Sequence, residues 1–241
     1  MKGLKVTALI LSVSMLASSC GTMNNTGKGS LIGAGSGAAI GTLIGTLAAN
    51  NKGKGAGIGA AVGVAVGTGV GALIGKKMDK AKAAAQQVEN AQVESVTDNN
   101  GLQAVKVTFD SGILFGTGSS TLSSTASASL AKFASTVLNV NRDMDVAIMG
   151  YTDNQGWKNS TAEQSAQKNI DLSQKRAGAV SSYLTQCGVN ATQIKSVTGM
   201  GEANPVADNS TAAGQAQNRR VEVYLYASEA MIQAAQAQVN N

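Results

Sequence analysis

Gly150-Tyr151-Thr152-Asp153-Asn154-Gln155-Gly156 and Asn169-x-x-Leu172-Ser173-x-x-Arg176-Ala177 decide how this chain folds. The first stretch closes a short apolar run, Asp145 to Met149, whose composition predicts a strand ending in a turn. The second opens a predicted helix over Leu172 to Leu184, with Ala177, Val180, Tyr183 and Leu184 on its apolar side. Working outward, Ala104 to Phe109 places Val105, Val107 and Phe109 on alternate positions, the period of a half-buried strand. Ser120 to Leu138 spaces Leu122, Ala126, Leu130, Phe133 and Val137 as one helical face. Ile194 to Thr198 reads as a short strand and Arg220 to Tyr226 as a last one. The order βαβαββ predicts an α+β domain over residues 102–226, with helices packed on one face of a mixed sheet.

On their own, these residues have plain readings. Asp153-Asn154-Gln155-Gly156 suits a turn after any strand, and Arg176 suits a surface ion pair on a helix. Two further motifs frame them: Phe109 with Leu114-Phe115, and Asn209-x-Thr211-x-x-Gly214-x-x-Asn218-Arg219-Arg220-Val221-Glu222. Taken in this order, the four resemble the OmpA-like peptidoglycan-binding domain of outer-membrane protein A, peptidoglycan-associated lipoproteins and flagellar motor stators. The resemblance implies non-covalent capture of the diaminopimelate side chain in the peptidoglycan stem peptide. That group is a zwitterion, so it calls for one anion and one cation at fixed separation. The matching residues are Asp153 for the ammonium and Arg176 for the carboxylate, the latter through its planar fork. Thr152, Asn154 and Asn169 fall where the family adds hydrogen bonds, and Arg219 at the rim. The sequence departs from the family at Tyr151, where histidine is usual. It departs again at 157–168, an insertion carrying Trp157 and Lys158 that reads as a lid or a rim decoration.

Composition narrows the alternatives. The chain lacks histidine, which rules out a Ser-His-Asp triad and any histidine-ligated metal. The carboxylates near the proposed site are Asp153, Glu163 and Asp171, a poor set for hydrolysis, so no enzyme activity, metal or cofactor is expected. Net charge is +5, but the basic residues are scattered without interleaved aromatics, which argues against nucleic acid as a partner.

The N-terminal part is a different material. Lys2 and Lys5 precede an apolar run that ends in Ala17-Ser18-Ser19-Cys20, which reads as an export signal over 1–19. It resembles a bacterial lipoprotein signal, implying acylation of Cys20, outer-membrane lipid as a partner and a C-terminal domain in the periplasm. An ordinary secretory signal is the alternative. After a short segment, 20–28, glycines recur every four residues from Gly29 to Gly45 and from Gly55 to Gly75. This spacing aligns them on one helix face and permits close packing of backbones. The segment 29–75 is therefore expected to form a glycine-zipper helical hairpin. It could be membrane-inserted, self-associating into a homo-oligomer without spanning, or, least in keeping with its period, a flexible linker. A main role in oligomerisation or membrane insertion is the alternative to wall tethering. Residues 76–101 read as a polar spacer helix to Val96 followed by a turn, and 227–241 as an Ala/Gln-rich tail, helical or frayed. With the zipper, the whole resembles outer-membrane lipoproteins of the YiaD type.

Overall fold

The computed structural model describes residues 68–97 and 102–240. Cys20, the export signal and most of the zipper hairpin lie outside the described residues. In chain order the elements are α1 (Thr68–Ala85), β1 (Ala91–Thr97), β2 (Gln103–Asp110), the short α2 (Ser111–Leu114), α3 (Ser124–Phe133), β3 (Met144–Gly150), α4 (Ala162–Gln186), β4 (Ile194–Gly199), α5 (Ala212–Asn218), β5 (Arg220–Ala227) and α6 (Glu229–Val239). The sheet has five strands in the order β1-β2-β5-β3-β4. β3 and β4 run parallel and all other neighbours antiparallel, so the sheet is mixed, as expected.

Alternation along the strands builds the main core. Val105, Val107 and Phe109 of β2, Val146 and Ile148 of β3, and Val221, Val223 and Leu225 of β5 face the helices and are fully buried. Leu130 and Phe133 of α3, and Ala177, Val180 and Leu184 of α4, pack against them, with Phe109 and Phe133 meeting edge to face. Fully burying each larger apolar side chain contributes roughly 1.5–3 kcal/mol. The helices start where short polar side chains can cap them. Ser123 accepts from the Ala126 amide, and Thr161 and Gln164 form a reciprocal capping box at the head of α4. α3 ends in a π-helical turn, Ala134–Leu138.

Three sequence expectations are corrected here. The spacer helix to Val96 stops at Ala85, and Ala91–Thr97 is instead an edge strand paired to β2 from Ala91 opposite Phe109 to Thr97 opposite Gln103. Asn90 makes the change of direction in the left-handed region (φ 61°), which asparagine tolerates. Pairing with β2 outweighs the helical propensity of the local sequence. Second, the last turns of the zipper, from Thr68, belong to α1, which buries Val70, Ile74, Met78, Ala81 and Ala85 in the domain core. Among the described residues no helix is long and apolar enough to cross a membrane. At Gly69 a Cβ would lie 2.8 Å from Val239, so this glycine serves close approach of α1 to α6. Third, the domain does not end at 226: the tail takes the helical of its two expected forms, the capped α6, and its Met231, Ile232 and Ala235 complete the same core. The folded unit thus reaches beyond 102–226 on both sides.

The candidate binding cleft

Three strand ends converge beside the N-terminal half of α4. The Ser111 amide donates to the Arg219 carbonyl (2.9 Å) and the Tyr151 amide to the Arg220 carbonyl (2.9 Å). Ser111, Arg219 and Thr152 therefore stand in a row across the ends of β2, β5 and β3. α4 lies tightly over β3: a Cβ on Gly150 would fall 2.3 Å from the Ser173 carbonyl oxygen, so only glycine permits this approach. That contact fixes Asn169 and Arg176, one turn either side of Ser173, over the strand ends.

The result is a cleft of about 670 Å³. Thr152, Asp153, Asn169, Arg176 and Arg219 line it together, although they come from separate parts of the chain. Asp153 is buried, and its Oδ2 accepts from Arg219 Nη1 at 2.5 Å while Oδ1 accepts from the Gln155 amide at 3.1 Å. A carboxylate has about four acceptor positions, so two remain for a ligand. Arg176 is also buried. Its Nε donates to the Ser119 carbonyl at 3.0 Å, its Nη2 to the Gly116 carbonyl at 3.5 Å, and its Cζ sits 5.2 Å from the Phe115 ring centroid. Two of the five guanidinium N–H donors are thereby committed. Burial, then the neighbouring Arg219 cation, lower the Arg176 pKa, and Asp153 opposes them. An arginine so shifted is still charged at neutral pH.

Asn154, the remaining candidate, is solvent-exposed and does not line the cleft; it belongs to the turn itself. Tyr151 also faces away: its ring packs under Arg220 on the opposite side of the sheet, so replacing the family's histidine leaves the lining of this cleft untouched. Thr152 Oγ1 and Ser111 Oγ, both buried cleft-lining hydroxyls, have no hydrogen-bond partner among the described residues. Buried polar groups are usually paired, so this pair marks a place where a polar ligand would be satisfied.

The 157–168 insertion has a different form from a lid. From Ala162 onward it extends α4, a helix of 25 residues, so only a short loop remains. That loop carries Trp157 into the cleft wall, where its Nε1 donates to Asn169 Oδ1 at 2.8 Å. Sequence reasoning missed Ser111, which carries no motif signal of its own. It noted Trp157 without assigning it a contact.

The motif before Arg219 shapes the frame. Thr211 caps α5, Gly214 leaves room for the Asp208 carbonyl, and buried Asn218 accepts from the Val206 and Ala207 amides at 2.7 and 3.0 Å. These residues hold the β4–β5 connection and set Arg219 at the start of β5.

Residues 114–219 match the OmpA family, and residues 1–79 the YMGG-like Gly-zipper family. The OmpA-family match thus follows the Gly-zipper match along the chain, and the two share no residue. YiaD of Escherichia coli (strain K12), named a probable lipoprotein, is 42% identical over 121 residues, covering 49% of this chain and 47% of that protein. The peptidoglycan-binding protein ArfA of Mycobacterium bovis is 44% identical over 81 residues, 34% of this chain and 22% of ArfA. The outer-membrane lipoprotein YfiB of Pseudomonas aeruginosa is 36% identical over 113 residues, 47% of this chain and 61% of YfiB. The chain thus spans less than two thirds of each of these relatives. Among solved structures, a MotB-like protein from Desulfovibrio vulgaris shares the fold, with a TM-score of 0.55 and 23% identity, covering 67% of this chain and 98% of that one.

Proposed function

We propose that this chain is a lipid-anchored envelope protein of the outer membrane whose cleft binds the peptidoglycan stem peptide non-covalently and so ties membrane to wall. The observation that carries the reading is the cleft itself: a buried anion, Asp153, and a buried cation, Arg176, on one concave surface, each with hydrogen-bonding capacity to spare. The names of the relatives agree with it, since ArfA is a peptidoglycan-binding protein and YfiB an outer-membrane lipoprotein.

In this reading the ligand is the diaminopimelate zwitterion. Its ammonium takes the open acceptor positions of Asp153, beside or in place of Arg219, and its carboxylate takes the uncommitted guanidinium donors of Arg176. Thr152 Oγ1 and Ser111 Oγ gain the partners they lack. Asn169 acts indirectly: its amide donates to the Gln155 carbonyl at 3.3 Å and accepts from Trp157, so it positions the turn and the wall. Acylation of Cys20 would supply the membrane end, and the zipper a means of self-association.

The test is sedimentation of the detergent-solubilised chain with purified insoluble peptidoglycan. The native chain should pellet, and Asp153→Ala and Arg176→Ala should stay in solution. Truncating one partner of a buried charge pair costs about 2–5 kcal/mol, or roughly thirtyfold and more in affinity. If both variants pellet like the native chain, the proposed site is wrong.

A further inference from the structure

The charges lining the cleft do not match a lone zwitterion. Lys158, Arg176 and Arg219 are cationic and Asp153 alone is anionic. A zwitterion brings one charge of each sign and leaves the excess of positive charge uncompensated. Lys158 is exposed, and its ammonium makes no ion pair among the described residues. A second cleft-lining feature lies beside it. The half-buried indole of Trp157 is held at two points, Nε1 donating to Asn169 and Lys168 Nζ standing 5.9 Å from the ring centroid, while the residue's backbone amide donates to Ser165 Oγ at 3.0 Å. Lys168 is itself tied to Ser160 Oγ at 2.9 Å. With its only polar hydrogen committed to Asn169, the indole can offer a ligand nothing but apolar ring surface. Such fixing is characteristic of a pre-organised contact, because the ring loses little further freedom when a ligand arrives.

We infer that Trp157 and Lys158 form a second subsite, next to the zwitterion pocket, for a small apolar residue that ends in a free carboxylate. In the stem peptide this is a terminal alanine not yet cross-linked: its methyl group lies on the indole and its carboxylate pairs with Lys158. The cleft then distinguishes open stems from cross-linked or amidated ones, whose terminal carboxylate is gone. Trp157 and Lys158 are thus specificity-determining residues, contributed by the insertion in this chain. The inference rests on the stem-peptide reading above.

The chain contains one tryptophan, so its intrinsic fluorescence reports on this wall alone. The experiment titrates the detergent-solubilised full chain with three soluble peptides: a stem tripeptide ending at diaminopimelate, the tetrapeptide with one further alanine as free acid, and that tetrapeptide as C-terminal amide. The tetrapeptide acid should shift Trp157 emission and bind about two- to fivefold tighter than the amide, the range expected of one exposed charge pair. Lys158→Gln, at an exposed position that leaves the fold alone, should bind acid and amide equally. Equal affinity of the native chain for acid and amide, with unchanged emission and with Asp153→Ala still abolishing binding, overturns the subsite and leaves the stem-peptide reading standing. If the native chain binds no peptide and does not pellet with peptidoglycan, both fall together.

Discussion

Arg219 and Arg220 are neighbours in the chain, yet they enter two acid–base clusters on opposite sides of the sheet. Arg220 is enclosed. Its Nε donates to Glu222 Oε1 at 2.8 Å, its other nitrogens donate to the Asn218 and Asn204 carbonyls, and its Cζ lies 3.7 Å from the Tyr151 ring centroid. The Tyr224 hydroxyl donates to Glu222 Oε2 at 2.6 Å. Burial first, and Glu222 second, push the Tyr151 and Tyr224 hydroxyls far above the usual tyrosine range, so both stay protonated. Arg219, by contrast, has a side chain 36% exposed, and its partner Asp153 keeps acceptor positions open beside two unpartnered hydroxyls. One cluster is saturated, although Arg220 and Glu222 border a smaller cleft of about 340 Å³; the other is only partly satisfied. Saturation, more than charge or burial, separates the cluster that holds the fold from the one proposed to hold a ligand.

The comparison can be broken by four measurements. The largest effect is expected from Arg220→Met, which leaves Glu222 buried without its cation. Loss of one member of such a pair costs about 3–5 kcal/mol, visible as a lowered urea midpoint. The double change Arg220→Met/Glu222→Leu should recover much of that loss, since an apolar pair of similar volume often replaces a buried ion pair without penalty. Asp153→Ala should do the opposite. Peptidoglycan binding falls by the thirtyfold or more given above, while stability changes by no more than about 1 kcal/mol, because the released Arg219 reaches solvent. If Asp153→Ala unfolds as readily as Arg220→Met, the two clusters do not differ in kind.

Gly150→Ala sharpens the comparison by moving the cleft without touching its charges. The added methyl meets the Ser173 backbone and must push α4 away from β3, at roughly 1–3 kcal/mol for overpacking. Binding should weaken with it, since Arg176 rides on the displaced helix; unchanged binding would mean that the placement of Arg176 is not critical. The smallest effect concerns Asp145, paired with Lys195 at 3.6 Å. Burial raises its pKa, with Lys195 acting in the opposite sense. The folded state then binds a proton more readily than the unfolded chain, so this group's contribution to stability grows as pH falls through the folded pKa and declines as pH rises past it. Asp145→Asn should flatten that part of the stability–pH profile, measured by urea unfolding at several pH values, and leave binding unchanged.

The sequence by itself determined what local periodicity can encode. Alternation in β2, β3 and β5, the apolar faces of α3 and α4, and the polar residues that cap the helices all act over a few residues of chain. Asp153 and Arg176 were legible only through the order of four motifs that resemble the OmpA-like domain, since each residue alone suits a turn or a surface ion pair; the structure brings both to one cleft. Tertiary structure alone decided the rest. Ala91–Thr97 is a strand because β2 offers it a ladder, against the helical preference of its neighbourhood. α1 and α6, from opposite ends of the folded unit, join the core because Val70, Ile74 and Met78 on one and Met231 and Ile232 on the other bury in the same apolar cluster. Trp157 reaches the cleft because the rest of its insertion winds onto α4, and Asn154 leaves it because the turn points outward. Arg219 meets Asp153 across 66 residues of sequence, a distance at which no local pattern can speak. Contacts of that kind depend on where whole elements come to rest, and this is fixed only when the sheet and its helices share one core.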